Sequence, residues 1–323
     1  MSTNKYPLDL SIIIVNWNCS DLLVNCVDSL KNTIKKHTYE IIVVDNNSED
    51  TSLNKLIDKF SDIKVIKNSQ NYLFAYANNQ GFKVAKGKYV FILNPDTVVQ
   101  NCCVDKMVDF LEKSGEGVVT GTLLNPDGSI QYLHRSFPSF IKILVHFLAN
   151  KLNFLKKSKT YREYHLLNED YSQDFRLEQS AGTAIMISQK LVNQLRYLFD
   201  AKRFPLFYND VGLCYRINKL QGKIMCLSEA RITHLKGVKT KSLKFDTYSL
   251  YYSVSALKYF KKHDKWLDYY SLAILLKVFF SLQFISQLVL YGIGVTDRET
   301  YFQKKSIYSQ ILSERFNNLS YEK

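Results

Sequence analysis

The stretch Tyr89-Val90-Phe91-Ile92-Leu93-Asn94-Pro95-Asp96 constrains this chain more than any other. Five apolar or aromatic residues lead into Asn94, and the run is bounded by Gly87 and Pro95. A run this short and apolar at every position predicts a strand buried on both faces. Proline brings no N–H to a ladder, so the strand stops there. Asp96 is thereby delivered to the carboxyl end of a central strand, where open α/β sheets hold ligands. Asn, Pro and Asp also favour plain turns, so the triplet alone leaves a turn and a ligand site equally open. The flanking segments shift the balance.

Upstream, residues 10–15 form a β-branched run that predicts a first strand, stopping at Asn16-Trp17-Asn18. Asp21 then opens a helix with Leu22, Leu23, Cys26, Val27 and Leu30 at helical spacing. Residues 40–44 predict a second strand ending in Asp45-Asn46-Asn47-Ser48, with Asp50 or Thr51 to cap the next helix. A third strand at 63–66 and a helix from Ala75 to Ala85 lead to the strand that ends at Asp96. This alternation predicts right-handed βαβ units and a mainly parallel sheet flanked by helices. The end of the first strand contains no glycine, and no G-x-x-x-x-G-K-[ST] occurs. Both a nicotinamide-dinucleotide fingerprint and a P-loop are therefore excluded.

Beyond Asp96 the spacing predicts a helix over 104–111, a strand over 117–121, and a turn at Asn125-Pro126-Asp127-Gly128 that returns as a hairpin strand over 129–132. Residues 146–173 are basic, aromatic and without clear period, which suits a variable loop or lid with some helix. A strand over 178–187 leads into a helix at Ser188. An aromatic segment then meets Asn209-Asp210, and Leu213, Arg216, Ile217 and Leu220 place Asp210 near a helix N-terminus. A carboxylate is electrostatically favoured there, as a cap or as a reactive group. Strands at 223–227 and 230–234 end in His234, followed by Lys236, Gly237, Lys239 and Lys241, a basic loop suited to phosphate oxygens. From Asp246 the composition shifts. A Tyr- and Lys-rich helix over 248–262 precedes a strongly apolar stretch over 269–295, interrupted by Lys277, Gln283 and Gln287. Lys258, Lys261, Lys262 and Lys265 flank it, which predicts a helix lying on an anionic inner leaflet. Packing within a homodimer, or against the first domain, is the other reading.

A net charge of +13 points to anionic partners: phosphorylated small molecules, anionic lipid or nucleic acid. The lysines are spread rather than gathered on a recognisable module, so nucleic acid is not expected. The apolar content of 46% excludes disorder. The six cysteines make no C-x-x-C and no zinc spacing, which suggests reduced thiols and a cytoplasmic location. Residues 1–9 are polar and lack a signal-peptide core.

Taken in order, several of these segments together resemble family 2 glycosyltransferases, in particular the rhamnosyltransferase-like branch, over residues 10–240. The motifs are Ser11 to Asn18, Ile42 to Ser48, Asn78-Asn79-Gln80-Gly81 and Leu93-Asn94-Pro95-Asp96. Asp127-Gly128-Ser129-Ile130-Gln131, Phe137-Pro138, Ser180-Ala181-Gly182-Thr183, Asn209-Asp210-Val211 and the turn from His234 to Gly237 follow. None is specific singly; the ordered set is. The resemblance implies a GT-A fold over 1–245, and the composition beyond it predicts a helical, membrane-associating region over 246–323. The resemblance also implies an inverting transfer of rhamnose or another hexose from a dTDP- or UDP-sugar, and the basic charge and aromatic C-terminal region suit a lipid-linked or polysaccharide acceptor at the inner face of the cytoplasmic membrane. Asp45 is expected on the pyrimidine base, Asn16 beside the same nucleotide, and Asn79, Asn94 and Gly182 in the sugar-nucleotide pocket. Asp96 matches the last position of the family's D-x-D, with Asn94 in place of the first Asp. Asp96 and His234 are the expected ligands of a divalent cation, Mg2+ or Mn2+. Asp210 matches the catalytic base. Two departures stand out: Leu73 where the family usually has glycine, and Gly212 where it usually has a second Asp. A catalytically impaired relative that binds nucleotide-sugar or glycan is the alternative these departures allow.

Overall fold

The computed structural model describes residues 6–115, 117–235 and 245–312. The basic loop at Lys236, Gly237, Lys239 and Lys241 lies outside them. The chain divides into two compact units, 1–249 and 250–323.

The first unit opens with β1 (Leu8–Asn16), α1 (Asp21–Thr33), β2 (Tyr39–Asp45), α2 (Ser52–Lys59), β3 (Lys64–Lys67), α3 (Leu73–Val84) and β4 (Gly87–Leu93). These strands pair in parallel in the order β3-β2-β1-β4. Continuous apolar sequence is required because both faces are covered. Ile12 and Ile14 point to the layer holding Leu23, Leu56 and Met107, while Ile13 points to Ala75, Leu213 and Ile217 on the other side. Each fully buried side chain of this size contributes about 1.5–3 kcal/mol. Asp50, not Thr51, caps α2, through Ser52 N–H to its Oδ1 at 3.1 Å.

Next come β5 (Thr97–Val99), α4 (Cys103–Ser114), β6 (Val118–Leu124), α5 (Phe140–Ala149), α6 (Lys159–Tyr164), β7 (Phe175–Leu177), β8 (Ala184–Ser188), α7 (Gln189–Leu195), α8 (Asn209–Lys219) and β9 (Ile224–His234). The full order is β3-β2-β1-β4-β8-β6-β9-β5, with β7 also on β9. The sheet is thus mixed rather than mainly parallel. The chain leaves β6 at the ligand edge and returns to it without a helical crossover, so β8 starts at that edge and runs antiparallel to β4 and β6. The expected strand over 129–132 is reduced to one bridge, Leu124 to Ile130. The two strands expected at 223–234 are one, β9, whose register against β6 shifts between Gly121 and Thr122. A Cβ at Gly121 would lie 2.1 Å from the Ala230 carbonyl oxygen, so only glycine fits against the bulge.

One consequence governs the site. The ends of β1, β2, β4 and β9 and the starts of β5 and β8 all fall on the same edge of the sheet.

α9 (Phe245–Lys262) leads into the second unit, which continues with α10 (Trp266–Gly292) and α11 (Arg298–Leu312). α10 is long and apolar enough to cross a membrane, and only 22% of its most apolar window is buried. Its inner face packs on α11 through Phe280 with Tyr308 and Tyr291 with Tyr301. Gln287, one of its polar interruptions, is buried and accepts a hydrogen bond from Lys304 Nζ at 3.4 Å.

Candidate active site

At the end of β1, Asn16 is fully buried and directly opposite Asp45 of β2. Its Nδ2 donates to Asp45 Oδ1 at 2.7 Å and to Ser52 Oγ at 2.9 Å. A carboxylate can only accept, so this bond fixes the orientation of the Asn16 amide. Asn16 Oδ1 is left buried with no hydrogen-bond partner among the described residues. Asp45 also accepts from Ser48, through the hydroxyl at 2.6 Å and the N–H at 3.1 Å. Three of its roughly four acceptor positions are thus filled, one from Asn16 at the end of β1 and two from Ser48. An orphaned acceptor and one spare carboxylate position, side by side, suit a ligand N–H such as a pyrimidine imide.

Two strands along, β4 stops and Asn94 N–H donates to the Thr183 carbonyl at 2.9 Å. Asp96 follows in a turn, and Thr97 of β5 pairs with His234 of β9. That pairing brings Asp96 Oδ1 to 3.3 Å from His234 Nε2. The other ring nitrogen faces Gln131, with Nδ1 2.6 Å from Oε1. The Gln131 amide is itself oriented, because its Nε2 donates to the His234 carbonyl at 3.1 Å and to Asn125 Oδ1 at 2.9 Å. Oε1 therefore accepts, and His234 Nδ1 must carry the proton. In the neutral ring the lone pair is then on Nε2, turned toward Asp96. Sequence reasoning placed Gln131 in a motif without giving it a role; a glutamine's use as an orienting group is visible only once β6 and β9 are paired.

A carboxylate oxygen and an imidazole nitrogen 3.3 Å apart fit two neighbouring positions around a divalent cation. Among the described residues no third His, Cys, Asp or Glu joins them. A cation held here would take its other ligands from a bound diphosphate and water.

Asp210 lies in the first turn of α8. Its Oδ2 accepts from Gly182 N–H at 2.9 Å and its Oδ1 from Val211 N–H at 2.8 Å. Burial raises its carboxyl above the ordinary aspartate range, and these two N–H groups pull it part of the way back. Gly182 adjoins Thr183, so the Asn94–Thr183 bond ties the strand end bearing Asp96 to the loop that holds Asp210. The loop is fixed from behind by His134, whose Nδ1 accepts from Ala181 N–H at 3.1 Å while Nε2 faces the Gly121 carbonyl at 3.3 Å. Burial lowers His134 to about 4, keeping it neutral and able to accept.

Asn79 is placed differently from expectation. Its amide is spent on the Phe199 backbone, donating to the carbonyl at 2.8 Å and accepting from the N–H at 3.0 Å. It clamps the loop before α8 rather than facing the strand ends. Leu73 sits at φ 65°, in the left-handed region where glycine is the unstrained residue. The bond from its N–H to Asn71 Oδ1 at 2.8 Å supports that turn. A Cβ at Gly212 would lie 3.3 Å from two ring atoms of Phe204, so a larger residue there must displace that fully buried ring. All five buried cysteines are free thiols, and burial pushes the thiols of Cys26, Cys214 and Cys226 up to about 12. They pack and do not react.

The chain is similar to known proteins over part of its length. The chain is 32% identical over 126 residues to poly(ribitol-phosphate) beta-glucosyltransferase of Bacillus spizizenii, covering 38% of this chain and 20% of that one. It is 32% identical over 105 residues to the UDP-Glc:alpha-D-GlcNAc-diphosphoundecaprenol beta-1,3-glucosyltransferase WfaP of Escherichia coli, covering 32% and 41%. Among solved structures it superposes on GalNAc-T7, crystallised with UDP, GalNAc and Mn2+, with a TM-score of 0.55 and 18% identity over 72% of this chain and 44% of that one. The matches span less than half the length of each of these proteins. At 18% identity the structural likeness speaks for the fold, which is GT-A. Residues 11–177, more than half the chain, match the profile of glycosyl transferase family 2, and the chain belongs to that family.

Proposed function

We propose that the chain is an inverting glycosyltransferase that moves a hexose from a nucleoside-diphosphate sugar to a hydroxyl of a cell-surface glycan precursor, lipid-linked, at the inner face of the cytoplasmic membrane. The observation that carries this reading is the tie Asp210–Gly182–Thr183–Asn94, which puts a base and the Asp96–His234 pair on one sheet edge. The orphaned acceptor of Asn16 beside Asp45 suits a base N–H, such as the imide of uracil or thymine. UDP- and dTDP-sugars are the donors the family resemblance brings, with rhamnose among the sugars. The activities by which these relatives are named, glucosyl transfer to poly(ribitol-phosphate) and to a diphosphoundecaprenol-linked sugar, agree with a phosphate-bearing acceptor.

The chemistry follows from the residues. Asp210 takes the proton of the acceptor hydroxyl as its oxygen attacks the anomeric carbon; one displacement inverts that centre and needs one base. The Gly182 and Val211 N–H groups hold the carboxylate so that it meets the hydroxyl without reorganising. Asp96 and His234 would hold the divalent cation. When bound, that ion offsets the charge growing on the departing nucleoside diphosphate. Of the two regions expected from the sequence, 1–245 is assigned the transfer and 246–323 the membrane contact, the latter on the exposed apolar face of α10 with Lys261 and Lys262 before it.

Titration calorimetry with UDP, dTDP and GDP, each with and without Mn2+, tests the reading. Binding of UDP or dTDP that strengthens with Mn2+, is weakened by Asp96→Ala and is spared by Asp210→Asn is the expected result. A folded protein that binds none of them would sink it.

A further inference from the structure

Between Ser136 and His165 the chain leaves the sheet as a hairpin of α5, a 3-10 turn over Asn153–Lys157, and α6. It is closely built. Ser139 and Ser158 cap the two helices, accepting from Lys142 N–H and Tyr161 N–H. His146 and His165 bond ring to ring at 3.0 Å, and Tyr161 stacks on His165 at 4.0 Å. Its far end is otherwise. Ile141, Leu148, Leu152 and Phe154 are 40–68% exposed, and Phe154 is the most exposed of them. The charge at the tip has one sign: residues 148–158 carry Lys151, Lys156 and Lys157 and no Asp or Glu, while Lys159 pairs with Glu163 further along, at 3.8 Å. Lys156 and Lys157 follow Phe154 after one leucine, Leu155, and are exposed.

We propose that this tip, Leu148, Leu152 and Phe154 with Lys156 and Lys157, seats in the headgroup layer of an anionic bilayer. An apolar wedge ringed by cations matches that layer: the rings and branched chains enter the acyl boundary and the lysines reach back to lipid phosphates. A protein groove would have to supply matching acids, whereas a leaflet of anionic lipid supplies them everywhere. At ten residues, or about 15 Å, α5 is too short to span and lies in the interface. The root of the hairpin gives the seat a purpose. Arg135, just before it, exchanges backbone hydrogen bonds with Gln179 at 3.2 Å in both directions, and His134 holds Ala181 beside Gly182. The element that meets lipid is therefore continuous with the loop that holds Asp210. Resting on the reading of Asp210 as the base, this turns the acceptor side of the site toward a lipid-linked sugar, independently of α10.

The test uses the full chain with Cys102→Ser, which removes the one exposed cysteine among the described residues, and Phe154→Cys carrying an environment-sensitive fluorophore. Vesicles of phosphatidylglycerol and phosphatidylcholine should shift its emission to the blue, and shallow spin-labelled lipid should quench it; pure phosphatidylcholine should do neither. Adding Lys156→Ala and Lys157→Ala should raise the vesicle concentration at half-signal about 30-fold at low salt. Three results overturn the proposal: vesicles that sediment the protein without changing the probe, vesicles that do not bind it, or a blue shift that grows with protein concentration and needs no lipid, which would make a second copy the occupant. Calorimetry with UDP or dTDP on the same sample separates the two readings. Nucleotide binding without insertion removes only the seat; insertion without nucleotide binding removes only the donor assignment.

Discussion

Replacing Gln131 by leucine tests whether the His234 ring is a prepared ligand. Gln131 is 2% exposed and bonds to three groups: His234 Nδ1–H, the His234 carbonyl and Asn125 Oδ1. Leucine fills nearly the same volume and supplies no polar atom. The ring N–H is orphaned in a buried place, at a cost of about 1–3 kcal/mol. The His234 carbonyl loses its partner in the same buried place and adds to that cost, whereas the Asn125 amide, only part-buried, can recruit water and adds little. Freed of Gln131, the neutral imidazole divides between tautomers, and the Nε2 lone pair is no longer guaranteed. Loss of such an orienting partner lowers metal affinity about 10–100-fold. Gln131→Glu separates the two effects. It keeps an acceptor for Nδ1–H, and so the tautomer, but sets an oxygen against the His234 carbonyl. Glutamate should therefore lose stability while holding the metal, and leucine should lose both. Thermal melts give the first quantity, and Mn2+ titration of the nucleotide-bound protein by electron paramagnetic resonance gives the second. A folded Gln131→Leu that binds Mn2+ as tightly as the parent refutes the argument.

A Cβ at Gly182 would meet Asp210 Cβ at 3.5 Å and Oδ2 at 3.6 Å, ordinary contacts, so Gly182→Ala should melt within a degree or two of the parent or above it. Its methyl would nonetheless crowd the oxygen that must receive the acceptor proton, and transfer should fall at least tenfold with nucleotide affinity unchanged. Leu73→Gly relieves a left-handed leucine but loses some burial, so urea unfolding should move by less than about 1 kcal/mol; Leu73→Val, β-branched at the same φ, should cost more. His134 is lowered to about 4 in the folded chain, so its contribution is present above the ordinary histidine value and lost as pH falls from 6.5 toward 4, by about 3 kcal/mol. A denaturation series over that range should show the loss, and a flat profile would contradict it. Asp210 works in the opposite sense. Its raised carboxyl keeps its proton to higher pH in the folded chain, so its contribution is present below 3.8 and lost as pH rises through the raised value. Asp210→Asn should gain stability relative to the parent across that window, and transfer by the parent should rise with pH over the same interval.

Where local pattern and tertiary role coincide, the sequence was readable. The run from Tyr89 to Leu93 could only be a strand covered on both faces, and Pro95 fixed where Asp96 would emerge. Asp210 at the head of α8 followed from the spacing of Leu213, Arg216 and Ile217. What failed has physical causes too. Pairing direction beyond β4 depends on which edge each strand starts from, and residues 124–184 run out to β7 on β9 before β8 starts at the ligand edge, a path no periodicity records. The hairpin at 140–164 reads poorly because its apolar residues serve two surfaces, one packed on His165 and one facing out, so the helical stripe is blurred. Asn79 illustrates a different limit. An asparagine in a motif is equally able to hold a ligand or a loop, and only the position of Phe199 decides.

The substitution of Asn94 for the first acid of the motif is best understood through charge. Asp96 brings one negative charge, His234 is a neutral ligand when oriented by Gln131, and Asn94 brings none. A second carboxylate beside the donor diphosphate would repel it by about 4 kcal/mol at 4 Å and an effective dielectric of 20. Without that carboxylate the nucleotide can enter before the cation, while the cation, offered only two protein ligands, needs the diphosphate to complete its shell. On the proposed reading, cation and donor therefore bind as linked events, each raising the affinity of the other by the same factor. Mn2+ alone should bind weakly, nucleotide alone measurably, and the two together far more tightly than either. Asp96→Asn should remove most of that coupling yet leave nucleotide affinity in the absence of metal unchanged or slightly improved. A site whose cation affinity is the same with and without nucleotide would place the metal elsewhere and leave the Asp96–His234 pair as structure alone.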